Sequence, residues 1–336
     1  MIKNSKPPTI NDVAALAGTS KRTVSRVINR SDKVNEATRE RVQRIIDELN
    51  YSPNRQARGL AASRSYLIGL IYDLPTLFIS DIQKGILSVC GDAGYELVVH
   101  ACNFEADEMI EEVTRFVSRA KLDGVIILPP ISEIDDLGKI LNKMGVNFVR
   151  LASAIGEETL NHLVVSDYKP AIVEMTSQLV EFGHRDLAYI AGPRTNTSSR
   201  KRQEVFVQAL ARHGLELSPD MVVEGDFSYD AGVKAAEKLL SRDRRPTAIF
   251  AANDEMAFGV MNVAYHKGLR IPRDFSLVGF DGTSFSTFVV PPLSTIIRQT
   301  DEMSRLGTQK LLAQIEGDAD AATSMKTMVS TRFIDR

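Results

Sequence analysis

Two sets of residues in the 336-residue chain have types and spacing that can do chemistry. The first is the run Lys21-Arg22-Thr23-Val24-Ser25-Arg26-Val27-Ile28-Asn29. On a helix, Val24, Val27 and Ile28 fall on one face at i, i+3 and i+4, which leaves Lys21, Arg22, Ser25 and Arg26 pointing outward. An arginine fork bonds bidentately to guanine O6 and N7, and Ser or Lys serves bases or phosphates, so this face can read DNA. Taken alone, the same charges would be an ordinary solvated helix face. The second set is dispersed: Asp281 ends an apolar run and can accept from two adjacent hydroxyls, Arg202 can donate a planar fork to vicinal oxygens, and Asn253 can do both. Together they suit a polyol. The plainer alternatives are a surface ion pair or strand-end cap for Arg202 and Asp281, and a helix N-cap for Asn253, since 255–264 reads as a helix.

Other chemistries find no support. The five histidines, His100, His162, His184, His213 and His266, are scattered, and Cys90 and Cys102 have no metal-ligand spacing, so no metal is expected and the cysteines read as buried reduced thiols. No Gly-rich phosphate loop, Gly-x-Ser-x-Gly or His-Glu-x-x-His occurs, which sets an enzyme and a cofactor aside. No apolar run reaches the roughly 18 residues of a membrane span. The start Met1-Ile-Lys-Asn-Ser-Lys-Pro-Pro lacks the apolar core and cleavage site of a secretory signal, so a cytoplasmic protein is expected rather than a transport-type binding protein. The net charge of −2 conceals an asymmetry: residues 1–64 carry thirteen Lys/Arg against six Asp/Glu, +7, leaving −9 for the remainder. A basic head on an acidic body fits a nucleic-acid partner for the head.

The elements that must position these residues follow from caps and periodicity. Thr9, with Asp12 three residues on, opens a helix whose buried side is Val13, Leu16 and Ala17 and which stops at Gly18. Ser20 caps the next helix, giving a helix-turn-helix whose second helix enters the major groove. A third helix starts at Asn35 and buries Val42, Ile45, Ile46 and Leu49. Beyond residue 65, nine apolar runs (66–73, 95–101, 123–129, 147–151, 162–166, 186–191, 221–225, 248–252 and 275–280) alternate with helical stretches (80–93, 106–119, 133–143, 168–182, 198–213, 229–241 and 254–267). That alternation predicts parallel, doubly wound sheets, two rather than one, with any ligand beyond the carboxyl ends of the strands.

The string Thr-Ile-Asn-Asp-Val-Ala-x-x-Ala-Gly-x-Ser-x-x-Thr-Val-Ser-Arg-Val-x-Asn from Thr9, followed by Thr-Arg-x-Arg-Val and Leu-Asn-Tyr-x-Pro-Asn-x-x-Ala-Arg-x-Leu, closely resembles the DNA-binding head of the LacI/GalR family of bacterial repressors. Phe182-Gly183-His184, Ala191-Gly192-Pro193, Ala252-Asn253-Asp254, Val278-Gly279-Phe280-Asp281 and Pro291-Pro292-Leu293-Ser294-Thr295-Ile296 extend the resemblance through the body. It implies a helix-turn-helix domain at 1–53, a hinge at 54–64, and a body at 65–336 like a periplasmic sugar-binding protein. In that body one subdomain would span about 65–165 plus 293–317 and the other about 166–290 plus 320–336, with three chain crossings between them. By the same likeness Lys21 and Arg22 are the variable specificity positions, Ser25, Arg26 and Asn29 are further operator contacts, and Thr23 joins the DNA-binding set. Asn54, Arg58 and Leu60 belong to a hinge helix, with Leu60 wedged into the minor groove. Seven or so residues containing Gly59 are too few for an isolated helix, so this one is expected to form on DNA.

The family's cleft motifs point to Arg202, Asn253 and Asp281. Asp73, closing the first strand, Phe78 in the loop after it, and Phe227, where a family member carries Trp, complete the expected effector set. Where several members have a polar or acidic residue near the end of the fourth strand, this chain reads Arg150-Leu151-Ala152-Ser153. The implied protein is a homodimeric repressor on a pseudo-palindromic operator, controlled by a small sugar or glycoside. The alternatives are a corepressor such as a purine, or a catabolite-type global regulator. The chain ends at Arg336 with no heptad tail, so the dimer is expected to be the endpoint.

Overall fold

The computed structural model describes residues 8–28, 31–51, 64–152 and 162–336. The chain divides into two compact units, Met1–Tyr66 and Leu67–Arg336. Among the described residues the first unit holds α1 (Ile10–Leu16), α2 (Lys21–Ile28) and α3 (Glu36–Glu48). Asp12 closes the start of α1 by accepting from both the backbone N–H and the hydroxyl of Thr9, each at 2.7 Å. Ser20 Oγ accepts from the Thr23 N–H at 3.1 Å and Asn35 Oδ1 from the Thr38 N–H at 2.9 Å, so each helix starts at the cap its sequence provides. Gly18 takes a left-handed φ of 58° between α1 and α2, a turn that a β-carbon would oppose. Val13, Ala14, Ala17, Val24, Val27, Val34, Val42 and Tyr51 form the core, with Ile45, Ile46 and Leu49 packed on it, while Leu16 is exposed rather than buried.

Among the described residues the second unit contains two six-stranded sheets. The first has the order β11-β5-β4-β3-β1-β2, with β1 (Leu67–Tyr72), β2 (Glu96–Ala101), β3 (Gly124–Ile127), β4 (Asn147–Ala152), β5 (Leu163–Asp167) and β11 (Met328–Ser330). The second has the order β12-β10-β9-β8-β6-β7, with β6 (Leu187–Ala191), β7 (Val222–Glu224), β8 (Ala248–Ala251), β9 (Ser276–Asp281), β10 (Ser294–Ile297) and β12 (Arg332–Ile334). All pairings are parallel except β10 with β12, which is antiparallel. Fully buried runs such as Ile249 and Phe250 in β8 are what a parallel sheet covered on both faces demands. The crossover helices are α4 (Leu77–Ala93), α5 (Met109–Ala120), α6 (Asp135–Lys143), α7 (Lys169–Glu181), α8 (Thr197–Ala211), α9 (Tyr229–Leu240) and α10 (Asp254–His266).

The chain passes between the sheets at 167–169, at 298–299 and at Thr331, whose hydroxyl donates to the Asp167 carbonyl at 2.9 Å. The expected subdomain limits need correcting at the C-terminal end. Residues 294–297 pair with β9 and so belong to the second sheet, not the first. The helix that follows, α11 (Thr300–Glu316), packs on α4, β3 and β4 of the first half. The short α12 (Ala319–Ser324) packs on α11, and β11 joins the first sheet, so only the last few residues return to the second.

Candidate functional site

In the first unit, Val24 and Val27 turn into the core, which leaves Lys21 and Arg22 exposed and Ser25 and Arg26 half-buried at the edge of the same face of α2. Lys21 and Arg22 occupy the first turn, the part of a recognition helix that meets base edges. Thr23 is committed differently: its hydroxyl lies 3.0 Å from that of Ser20, inside the cap. Asn29, Asn54, Arg58 and Leu60 lie outside the described residues.

In the second unit, the carboxyl ends of the strands of both sheets face a cavity of about 270 Å³. Asp73, Phe78, Arg202, Phe227, Asn253 and Asp281 all line it. Asp73 leaves β1 and accepts from the Phe104 N–H at 3.0 Å; burial, reinforced by the charge of Glu105, raises its carboxyl above the ordinary value, with the Phe104 hydrogen bond opposing. Asp281 ends β9 with its side chain 11% exposed and lies 3.3 Å from Nη1 of Arg298, a residue absent from the sequence expectation that also lines the cavity. Burial raises the Asp281 carboxyl, with the guanidinium groups of Arg298 and Arg202 pulling the other way.

Arg202 is buried in α8. Its Nη1 donates to the Ala252 carbonyl and its guanidinium carbon stacks 3.5 Å from the centre of the Phe280 ring. It is therefore no surface ion pair, and Asp281 is no solvent-facing strand cap. Asn253 resolves toward the plainer alternative. Its Oδ1 accepts from the Met256 N–H at 3.0 Å as the N-cap of α10, and its Nδ2 donates to the Phe227 carbonyl at 2.8 Å. It shapes the cavity wall with both polar groups already engaged. Phe227 itself, at a left-handed φ of 69°, packs on Gly192, where a β-carbon would collide with the ring. Phe78 carries the Arg298 guanidinium 4.3 Å over its ring. Arg150 pairs with Asp135 at 3.6 Å and is not among the residues lining the cavity.

Behind Asp281, Asp254 is fully buried and accepts from the Thr283 N–H (2.7 Å), the Thr283 hydroxyl (3.0 Å) and the Thr295 hydroxyl (2.6 Å). Burial, reinforced by the charge of Asp281 and opposed by these donors, lifts its carboxyl to about 7.

Sequence reasoning also missed two carboxylates that bridge the halves. Glu133, from the first half, accepts from the Thr197 N–H at 3.1 Å and from the Ser198 hydroxyl, at the start of α8 in the second. Glu255, in the first turn of α10, accepts from the Leu77 N–H at the start of α4, whose own N-cap Thr76 offers no side-chain bond. Each half thus supplies a carboxylate to a helix N-terminus of the other, where orphan N–H groups and the helix dipole favour negative charge. The contacting residues lie 64 and 178 positions apart, so no local spacing could have announced them.

Residues 9–54 match the family model "Bacterial regulatory proteins, lacI family", and residues 176–336 match "Periplasmic binding protein-like domain". The chain is 33% identical over 336 residues to the Probable HTH-type transcriptional repressor ExuR of Bacillus subtilis (strain 168), covering 98% of this chain and 97% of that protein. A solved complex of the transcriptional regulator CelR with cellobiose superposes with a TM-score of 0.69 at 31% identity, covering 98% and 99% of the two chains. The Lac repressor dimer bound to operator and the anti-inducer ONPF superposes with a TM-score of 0.77 at 29% identity, covering 98% of each. With a helix-turn-helix head, a two-sheet body and a repressor as relative along nearly its whole length, the chain belongs to the LacI family of bacterial transcriptional regulators.

Proposed function

We propose that this regulator reads a near-palindromic operator as a cytoplasmic homodimer and that a small sugar in the cavity between its two sheets controls its hold on DNA. In this reading Lys21 and Arg22 contact bases, Ser25 and Arg26 contact bases or phosphates, Thr23 sets the start of the helix, and Leu60 acts in the minor groove. The observation that carries the effector site is the convergence of Asp73, Asp281, Arg202 and Arg298 with the apolar faces of Phe78 and Phe227 on one cavity: carboxylates and planar guanidinium groups beside aromatic walls. CelR in complex with cellobiose supports the sugar class.

The carboxylate bridges supply the mechanism. Glu133 and Glu255 make contacts that exist only when the halves are close, so a ligand that bridges the same gap biases the same equilibrium. A near-complete switch requires a differential affinity of about 5.5 kcal/mol between the two states. The test is a thermal-shift panel of monosaccharides, glycosides and purines, followed by a gel shift on DNA upstream of the gene with and without the compound that binds. Stabilisation by a sugar that also alters the shift supports the reading. Stabilisation by purines alone, or no effect of a bound sugar on the shift, overturns it.

A further inference from the structure

We infer that the effector carries an anionic group, a sugar carboxylate or sugar phosphate, received at the cavity floor by Arg202 and Arg298 together. This rests on the reading of the cavity as the effector site and narrows the class of ligand it takes. Both arginines line the cavity and each is only 4% exposed. Both approach one ring, with guanidinium carbons 3.5 Å (Arg202) and 5.8 Å (Arg298) from the centre of Phe280. Asp281 lies 3.3 Å from Arg298, and the charges of both arginines act on its carboxylate.

Arg202 has no carboxylate within 4.0 Å among the described residues, and its buried Nε makes no hydrogen bond. A guanidinium cannot escape this by losing its proton. Arg202 therefore carries a buried charge with no carboxylate at ion-pair distance among the described residues, and a buried charge is costly unless paired. The other carboxylates of the lining, Asp73, Glu105 and Asp226, are more exposed than the two arginines and sit toward water, where they suit hydroxyl groups and are screened. Asp254 is already occupied by Thr283 and Thr295.

An oxyanion fits the unmet need, because a pair of carboxylate or phosphate oxygens matches the arginine fork. The cavity, about 270 Å³, is below the roughly 300 Å³ at which drug-sized pockets begin, which suits a single ring with a short charged arm. Asp281 still accepts from ring hydroxyls in this arrangement, and Arg298 is shared between it and the ligand.

The experiment is calorimetry on the full-length protein with D-glucuronate, D-galacturonate and D-glucose 6-phosphate, each against its neutral parent, D-glucose or D-galactose, at matched ionic strength. At least one anionic sugar is expected to bind about ten- to a hundredfold more tightly than its parent, the range for a charge-assisted hydrogen bond. Arg298→Gln should erase most of that preference and Arg298→Lys should retain part of it, since Lys keeps the charge but not the fork. A response to the uronates alone identifies a carboxylate, and a response to the phosphate ester alone a phosphate. Equal or tighter binding of the neutral parent, or no binding of any anionic probe at millimolar concentration, overturns the inference. Binding of neutral sugars alone leaves the sugar-effector reading standing, whereas binding of hypoxanthine or guanine with no sugar bound removes both.

Discussion

Removing Glu133 separates closure of the body from chemistry in its cavity, because the residue is not among those lining it. Its two acceptor oxygens serve the Thr197 N–H and the Ser198 hydroxyl at the start of α8. A charge-assisted hydrogen bond contributes roughly 1.5–3 kcal/mol when buried. Glu133 is half-buried, so solvent screening reduces the whole contribution of Glu133→Ala to about 1–2 kcal/mol. If only the closed form holds effector, that loss appears as a fall in the competent fraction, and apparent affinity weakens by at most about 5- to 30-fold. Glu255→Ala removes the reciprocal contact to Leu77 and acts on the same equilibrium. Part of the first loss is absorbed while the closed state still dominates, so the double variant should lose at least the sum of the single losses in log Kd. Lys326→Ala is the control: its ion pair with Glu302 is exposed and both residues lie away from the cavity lining, so less than a twofold effect is expected. Calorimetry with the effector found by the panel provides the numbers. Single and double variants within twofold of the parent protein, with unchanged melting, would refute coupling of closure to binding.

In the head, Arg22→Ala is expected to weaken operator binding by about 1–3 kcal/mol and to relax preference at one base pair of each half-site, measured by gel shift against single-base operator variants; uniform weakening across all variants would reassign Arg22 to phosphate. The pH prediction concerns Asp254. Its folded carboxyl sits at about 7, far above its unfolded value, so the native state binds more protons between about pH 4 and 7 and stability falls as pH rises through that window. Asp254→Asn should flatten this fall in a melting-temperature series, and an unchanged slope would place the titration elsewhere. Asp281→Gly relieves a left-handed backbone at φ 109°, worth roughly 1–3 kcal/mol, but strips Arg298 of its carboxylate, a loss of about 3–5 kcal/mol for a buried pair. The melting temperature should therefore fall, and a rise would mean that the ion pair contributes less than the backbone costs.

How much of this was legible in the sequence depended on the range over which each feature is determined. The three head helices were readable because Thr9, Ser20 and Asn35 cap them locally and the core valines repeat at helical spacing. The nine predicted strands are present because each is an apolar run between helical patterns. The strands β10, β11 and β12 fall outside the sequence expectation, which places its last helical stretch at 254–267 and so leaves these three- and four-residue runs without a frame, although α11 lies between β10 and β11. With β10 went Arg298, which follows it at the chain crossing and reaches the cavity only because of that pairing. Asn253 shows the opposite limit: the residue type was right for both a ligand contact and a cap, and only the positions of Met256 and Phe227 decided for the cap.

The places where local preference is overruled gather at the cavity. Phe227 and Asp281 are not glycine, yet both hold left-handed φ values, 69° and 109°, that their side chains disfavour. Asp281 is followed by Gly282 at φ 67°, so a residue free of that penalty stands next to one that bears it. A sequence selected for the sheet alone would place glycine at both positions. Keeping a carboxylate at 281 is intelligible when its product is the site itself: the end of β9 carries an anion beside Arg298 and under the charge of a second buried arginine, Arg202, stacked on Phe280. Phe227 follows the same logic, since its ring needs the bare face of Gly192 to lie at the cavity wall. Backbone cost, buried charge and close packing therefore coincide on one small volume, as expected where stability has been exchanged for a preorganised binding surface.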